Sequence, residues 1–288
     1  DLGRWIDEQH PQQIEFLRQI VRVPSDTPPG DNAPAAEKAA ELLTALGFAV
    51  ERHPVDGDFL AAYGMQSVTN LIVRQKFGTG RPVIALNAHG DVVPPGAGWT
   101  HPPYAGAIEN GRMYARGVAV SKSDIATFTC ALLALRHAAE QGAKLNGTVE
   151  LHFTYDEEFG GLAGPQWLFE KNLTRPDYAL GPGFAYSVVT AHNGCLQLEV
   201  TVHGKAAHGA MPETGHDALQ AAVAMLNALY GAAAGYRQMT SKVEGIAHPT
   251  LNVGLIAGGI NTNVVPDKVV FKLDRRMIPE ENPATVEA

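Results

Sequence analysis

One run constrains the fold more than any other: Val83-Ile-Ala-Leu-Asn-Ala-His-Gly-Asp91, an aliphatic stretch that stops on two polar residues held apart by a glycine. It is too short for a stable helix, and its continuous apolar character is that of a strand buried on both faces of a parallel sheet. In open α/β sheets the reacting groups collect at the carboxyl ends of such strands. His89 and Asp91 therefore stand where chemistry is done. On its own the tripeptide is read most simply as a core histidine and a turn aspartate. A second strand, 149–154, runs into Tyr155-Asp-Glu-Glu-Phe-Gly-Gly161, so another apolar run ends on acids. Glu157 and Glu158 alone would be two solvated carboxylates. Beside His89 they gain weight, because imidazole and carboxylate are donors for a divalent metal and a neighbouring carboxylate can take a proton from water held there.

The flanking pattern supports an α/β sheet. Helices are expected over 12–23, where Ile14, Leu17, Ile20 and Val21 recur at helical spacing, and over 35–46, 124–140 and 165–171. Strands are expected over 48–52, 70–74, 83–87, 149–154 and 178–180. This alternation predicts a mostly parallel sheet with helices on both faces. The Pro- and Gly-rich stretch 92–103 is long enough to wall a site. Near Ser187 the pattern changes. Strand 196–202 alternates strictly, and a helix over 218–230, strands 250–255 and 268–273 and a helix start at 283–288 make most of a ferredoxin-like α+β unit. The expected domains are thus 1–186 and 187–288, the second incomplete.

Composition removes several function classes. The 288 residues are 45% hydrophobic and 18% charged with a formal charge of -8, and Lys and Arg form no block, so a nucleic-acid partner is not expected. Cys130 and Cys195 have apolar neighbours and no CxxC spacing, which suggests buried thiols in a reducing compartment rather than a disulfide scaffold. No apolar run is seen to approach the roughly 20 residues of a spanning helix, and no leader pattern is present. A cytoplasmic protein without a membrane partner is expected, with a removed leader left open because the chain begins at Asp1.

The ordered motifs carry a family resemblance. His89-Gly90-Asp91-Val-Val-Pro94, Gly98-Trp99, Asn110-Gly111-Arg112-Met113-Tyr114-Ala115-Arg116-Gly117, Asp156-Glu157-Glu158-Phe159-Gly160-Gly161, Gly204-Lys-Ala-Ala-His208, and Asn263-Val-Val-Pro266-Asp267 occur in register. Together they resemble the di-zinc metallopeptidase family of aminoacylase, acetylornithine deacetylase, succinyl-diaminopimelate desuccinylase and bacterial glutamate carboxypeptidase. The resemblance implies a catalytic α/β domain and an inserted ferredoxin-like lid, with the rest of the catalytic domain beyond Ala288. It makes His89 and Glu158 metal ligands, Asp91 the acid that orients the imidazole, and Glu157 the general base. It further implies that His208 reaches a partner subunit's site to hold the oxyanion, and that Asn263 and Arg276 contact a substrate carboxylate. A small-molecule amide substrate, a homodimer paired through the lid, and zinc, with manganese or cobalt as alternatives, are implied in the same way.

Two positions break the family pattern. The place of the bridging aspartate is held by Val120, and Gly181-Pro182-Gly183 replaces a turn that carries a second acidic ligand. Neither side chain can ligate a metal. Three explanations stand: the site is rebuilt with Asp124 or Asp177, one metal suffices, or catalysis has given way to ligand binding in the same cleft. The leading expectation is a metal-dependent amidohydrolase acting on an N-acyl amino acid, dipeptide or similar carboxylate-bearing amide. The alternative is a catalytically altered or inactive binding protein on the same scaffold.

Overall fold

Apolar spacing and local caps divide the first part of the chain into twelve elements. In order they are α1 (Leu2–Val21), α2 (Ala33–Ala45), β1 (Val50–Pro54), α3 (Gly57–Tyr63), β2 (Thr69–Phe77), β3 (Val83–His89), β4 (Ala107–Glu109), β5 (Arg112–Tyr114), α4 (Lys122–Glu140), β6 (Gly147–Thr154), α5 (Pro165–Glu170) and β7 (Tyr178–Leu180). The remainder holds β8 (Gly194–His203), α6 (Ala218–Ala233), β9 (Thr250–Gly258), β10 (Lys268–Met277) and α7 (Pro283–Glu287). The computed structural model describes residues 2–183 and 187–288. The chain divides into two units, Asp1–Ala185 and Tyr186–Ala288. The junction expected at 186/187 abuts residues 184–186, outside the described residues.

In the first unit the strand order is β1-β2-β6-β3-β7. β3 pairs in parallel with β6 and β7, whereas β2 is antiparallel to both β1 and β6. The sheet is therefore mixed, which corrects the expectation of a mostly parallel one. The reason is local. β2 returns into β3 through a short turn with Gly78 and Gly80 at positive φ, so the two strands run oppositely, and β6, parallel to β3 and seated between them, must oppose β2. Side-chain alternation sends Leu71, Val73, Ala88, Leu151 and Phe153 to one face, against the apolar stripes of α1, α2 and α4. Each of the leucine, valine and phenylalanine side chains buried in full contributes about 1.5–3 kcal/mol. Asn87, His89 and His152 face the other way, and Leu168 of α5 lies with Asn87 and His152 around a small cavity there.

Two elements lie outside the sequence expectations. α1 starts ten residues before its apolar pattern and passes through Pro11, its first turns held where Trp5 stacks on His137 of α4 at a centroid distance of 4.5 Å. α3 is too short to show a period. Asp56 caps it by accepting from Asp58 N and Phe59 N, and Gly64, at φ 94°, ends it.

The second unit is a β-α-β-β arrangement in which β10 lies between β8 and β9, antiparallel to each. Val269, Phe271 and Leu273 of β10 and Val202 of β8 pack under Ala218 and Ala222 of α6. Residues 218–238 are long and apolar enough, by length and composition, to cross a membrane, which corrects the expectation that no segment approaches that size. α6 itself rests its small alanines on its own sheet, and Asp217 caps its start by accepting from Leu219 N and Gln220 N. The thiols also depart from expectation. Cys195 is exposed on β8 and Cys130 only half-buried on α4; alternation turns Cys195 off the sheet's packed face.

Candidate active site

The register of β3 against β6 places His89 beside Thr154, so both chains leave the sheet at the same edge. Gly90 N donates to Thr154 O at 2.8 Å, and Ser25 Oγ donates to Gly90 O at 2.7 Å. Glycine is required between His89 and Asp91 because a Cβ at position 90 would lie 2.3 Å from the buried Tyr155 ring. The strand end is thus fixed before any ligand arrives.

Asp91 joins the two strand ends. Its carboxylate is fully buried, accepts from Glu157 N at 3.2 Å and Glu158 N at 3.0 Å, and lies 3.3 Å from His89 Nδ1. The Asp91 carbonyl lies 3.0 Å from the same nitrogen. With Nδ1 occupied, Nε2 is left to face the acids, and it lies 3.8 Å from Glu157 Oε2. One donor atom from each of His89, Glu157 and Glu158 falls within 4.8 Å of the other two.

The charges are mutually adjusted. Burial pulls the His89 imidazole down, but the hydrogen bond and charge of Asp91, with the charge of Glu157, more than offset it and raise the net pKa. Burial and then the neighbouring Glu157 carboxylate raise Glu158. Burial pushes Asp156 up to about 6, although Ala163 N donates to its Oδ2 at 2.6 Å.

A cavity of about 280 Å³ opens beside this cluster, lined among others by His89, Glu157, Val120, Asp124 and Pro182. Asp91, His89, Glu157 and Glu158 are accordingly brought together, and Asp124 shares the cavity, its Oδ2 accepting from Ser121 Oγ at 2.9 Å. Asp177 is not brought to the site, which corrects its candidacy as a substitute ligand. It sits at the opposite end of β3, accepting from Val83 N at 2.7 Å and pairing with Arg81 at 2.9 Å. Six residues of strand separate it from His89, roughly 20 Å.

The remaining candidates belong to the second unit and are exposed. His208 Nδ1 accepts from Ala210 N at 3.1 Å, the Asn263 carbonyl accepts from Gly209 N at 2.7 Å, and Arg276 Nε donates to Asp274 Oδ1 at 2.7 Å. Lys122, two residues past Val120, was not singled out by the sequence pattern. It is fully buried, donates to Ile20 O at 3.2 Å and Val23 O at 2.9 Å, and is lowered to about 8 by burial. A lysine inside the Arg116–Lys122 run is its only signal. Arg116 lies 5.3 Å from the centre of the Trp99 ring and donates to Pro95 O at 3.2 Å, which braces the wall loop 92–103.

The imidazole nitrogen of His89 and the carboxylate oxygens of Glu157 and Glu158 lie close enough together to hold a divalent cation. Among the described residues no second group of three such donors is found, and the isopropyl group of Val120 and the ring of Pro182 line the same cavity.

Residues 85–259 match the model of a family described as Peptidase family M20/M25/M40. The chain is 35% identical over 258 residues to an acetylornithine deacetylase of Myxococcus xanthus, covering 88% of this chain and 64% of that protein. It is 30% identical over 274 residues to a succinyl-diaminopimelate desuccinylase of Gluconobacter oxydans, covering 91% and 67%. The chain thus spans about two thirds of the length of these relatives. Among solved structures, an M20 family metallo-carboxypeptidase of Sulfolobus solfataricus superposes with a TM-score of 0.70 at 20% identity, covering 97% of this chain and 73% of that one. That likeness shows the fold.

Proposed function

This chain belongs to the peptidase family M20/M25/M40, and from that premise we propose that its protein is a metal-dependent amidohydrolase cleaving an N-acyl amino acid, a dipeptide or a similar carboxylate-bearing amide. The observation that carries this reading is the clustering of His89, Glu157 and Glu158 donor atoms within 4.8 Å of one another around a single buried aspartate. A divalent cation held there by His89 and Glu158, zinc by its donor set with manganese or cobalt as alternatives, supplies the charge that polarises a carbonyl and acidifies water. The chain's own residues do the rest. Asp91 fixes the imidazole through Nδ1, so that Nε2 keeps one direction. Glu157 is the more exposed of the two glutamates, and its carboxylate takes a proton from the attacking water and returns it to the leaving amine. In the second unit His208 is assigned to the oxyanion and Asn263 and Arg276 to the substrate carboxylate, in a homodimer paired through that unit. These assignments, and the name of lid for the unit, rest on the family resemblance.

Glu157→Gln in the full-length protein tests the reading against a panel of N-acetyl and N-succinyl amino acids. General-base catalysis contributes about 10²–10⁴-fold, so kcat falls by that order while the protein stays folded. Hydrolysis unchanged by the substitution overturns the proposal. A second reading, binding without turnover, is favoured by Val120 and Pro182 in the same cavity. Under it, the panel compounds bind and none is cleaved.

A further inference from the structure

Val120 and Pro182 do more than mark a departure from a motif, because both line the cavity that His89 and Glu157 line. The walls of that cavity differ in chemistry. His89 and Glu157 line it, and a carboxylate oxygen of Glu158 lies within 4.8 Å of a donor atom of each. The side chains of Ala119, Val120 and Pro182, which line it too, hold no donor atom. Among the described residues that line the cavity, Asp124 is the one further acid. Its carboxylate is engaged by Ser121 Oγ at 2.9 Å and sits in the first turn of α4, where a helix N-terminus already stabilises negative charge. Among the described residues, His89, Glu157 and Glu158 are the one set of three His, Cys or carboxylate donors close enough to share an ion. Two-cation sites need bridging and terminal ligands that hold the ions about 3.5–4 Å apart. Among the described residues the first set exists and the second does not.

We propose that this cavity binds one divalent cation per chain, at His89 and Glu158 with Glu157 beside it, and that Val120 and Pro182 exclude a second. The inference rests on reading the cavity as the reaction site, and its test needs no turnover. Full-length protein stripped with a chelator is titrated with zinc by calorimetry and dialysed, and bound metal is then counted by elemental analysis. One zinc per chain is expected for the unaltered protein and none for His89→Ala. Two are expected for the double variant Val120→Asp with Pro182→Glu. Should that variant fail to fold, X-ray absorption on the unaltered zinc-loaded protein decides, since a single ion gives no metal–metal distance near about 3.5–4 Å. Two zinc ions per chain in the unaltered protein, or none while circular dichroism shows it folded, overturns the proposal. One bound zinc without hydrolysis would instead sink the enzymatic reading and leave this one standing.

Discussion

Removing the Asp91 carboxylate is the sharpest probe of how the site is assembled. In Asp91→Ala, Glu157 N and Glu158 N lose their acceptor and His89 Nδ1 loses its charged neighbour. Hydrogen bonds to a charged partner contribute about 1.5–3 kcal/mol each. The two donors are only partly buried, so water recovers some of that, and a loss of roughly 2–4 kcal/mol is expected. For a unit of this size each kcal/mol moves the midpoint by about 2–4 °C, so Tm should fall by roughly 5–15 °C. Asp91→Asn keeps an acceptor but not the charge, and should destabilise less. The same pair tests the electrostatics. His89 is raised in the folded state, so its contribution to stability is full below its usual value of about 6.5 and is lost as pH rises through the raised one. In Asp91→Asn the His89 pKa, followed by NMR, should drop and that pH dependence should flatten. A Tm within 1 °C of the unaltered protein for Asp91→Ala (a threshold of about 0.3 kcal/mol), or an unmoved His89 titration in Asp91→Asn, would refute the reasoning.

Other substitutions follow from the same contacts. Gly90→Ala drives a methyl to 2.3 Å from the Tyr155 ring; overpacking of this kind costs about 1–3 kcal/mol, and urea melts should show it together with weakened cation binding. Glu150 is buried, which opposes its charge, yet His152, Thr174 and Arg74 hold it down at about 2. Its stabilisation is therefore present above its ordinary value and lost as pH falls from about 4.5 toward 2, and Glu150→Gln should flatten that acid limb in denaturant melts. Asp177→Ala should leave zinc stoichiometry and hydrolysis unchanged, since its carboxylate serves Arg81 and Val83 N far from His89. A loss of bound zinc in that variant would restore Asp177 as a ligand.

The site was legible where the chain writes it as strand followed by polar residues. β3 ending on His89 and β6 leading into Glu157 and Glu158 could be placed from apolar runs alone, and their register then brings the ends together. The strand direction of β2 was not legible, because an apolar run has no sign. Only the turn through Gly78 and Gly80 and the insertion of β6 decide it. α3 was hidden by its length, though Asp56 and Gly64 flank it as cap residues do. Asp124 and Asp177 looked alike as acids beside the two positions where the family resemblance implies ligands. What separated them was which end of a strand or helix each occupies, a property of the assembled sheet. Lys122 was passed over because a buried lysine has no periodic signature, and its partners are the carbonyls of Ile20, in the last turn of α1, and of Val23, just past it.

We propose that His89 and Glu158 hold a metal although Val120 stands where the family resemblance implies a ligand. Anomalous scattering at the zinc edge from zinc-soaked crystals of the full-length protein tests it directly. One peak is predicted, about 2.0–2.1 Å from His89 Nε2 and within reach of Glu158, with none against Val120 or Pro182. An unoccupied His89 at saturating zinc, or a second peak beside Val120, would contradict it.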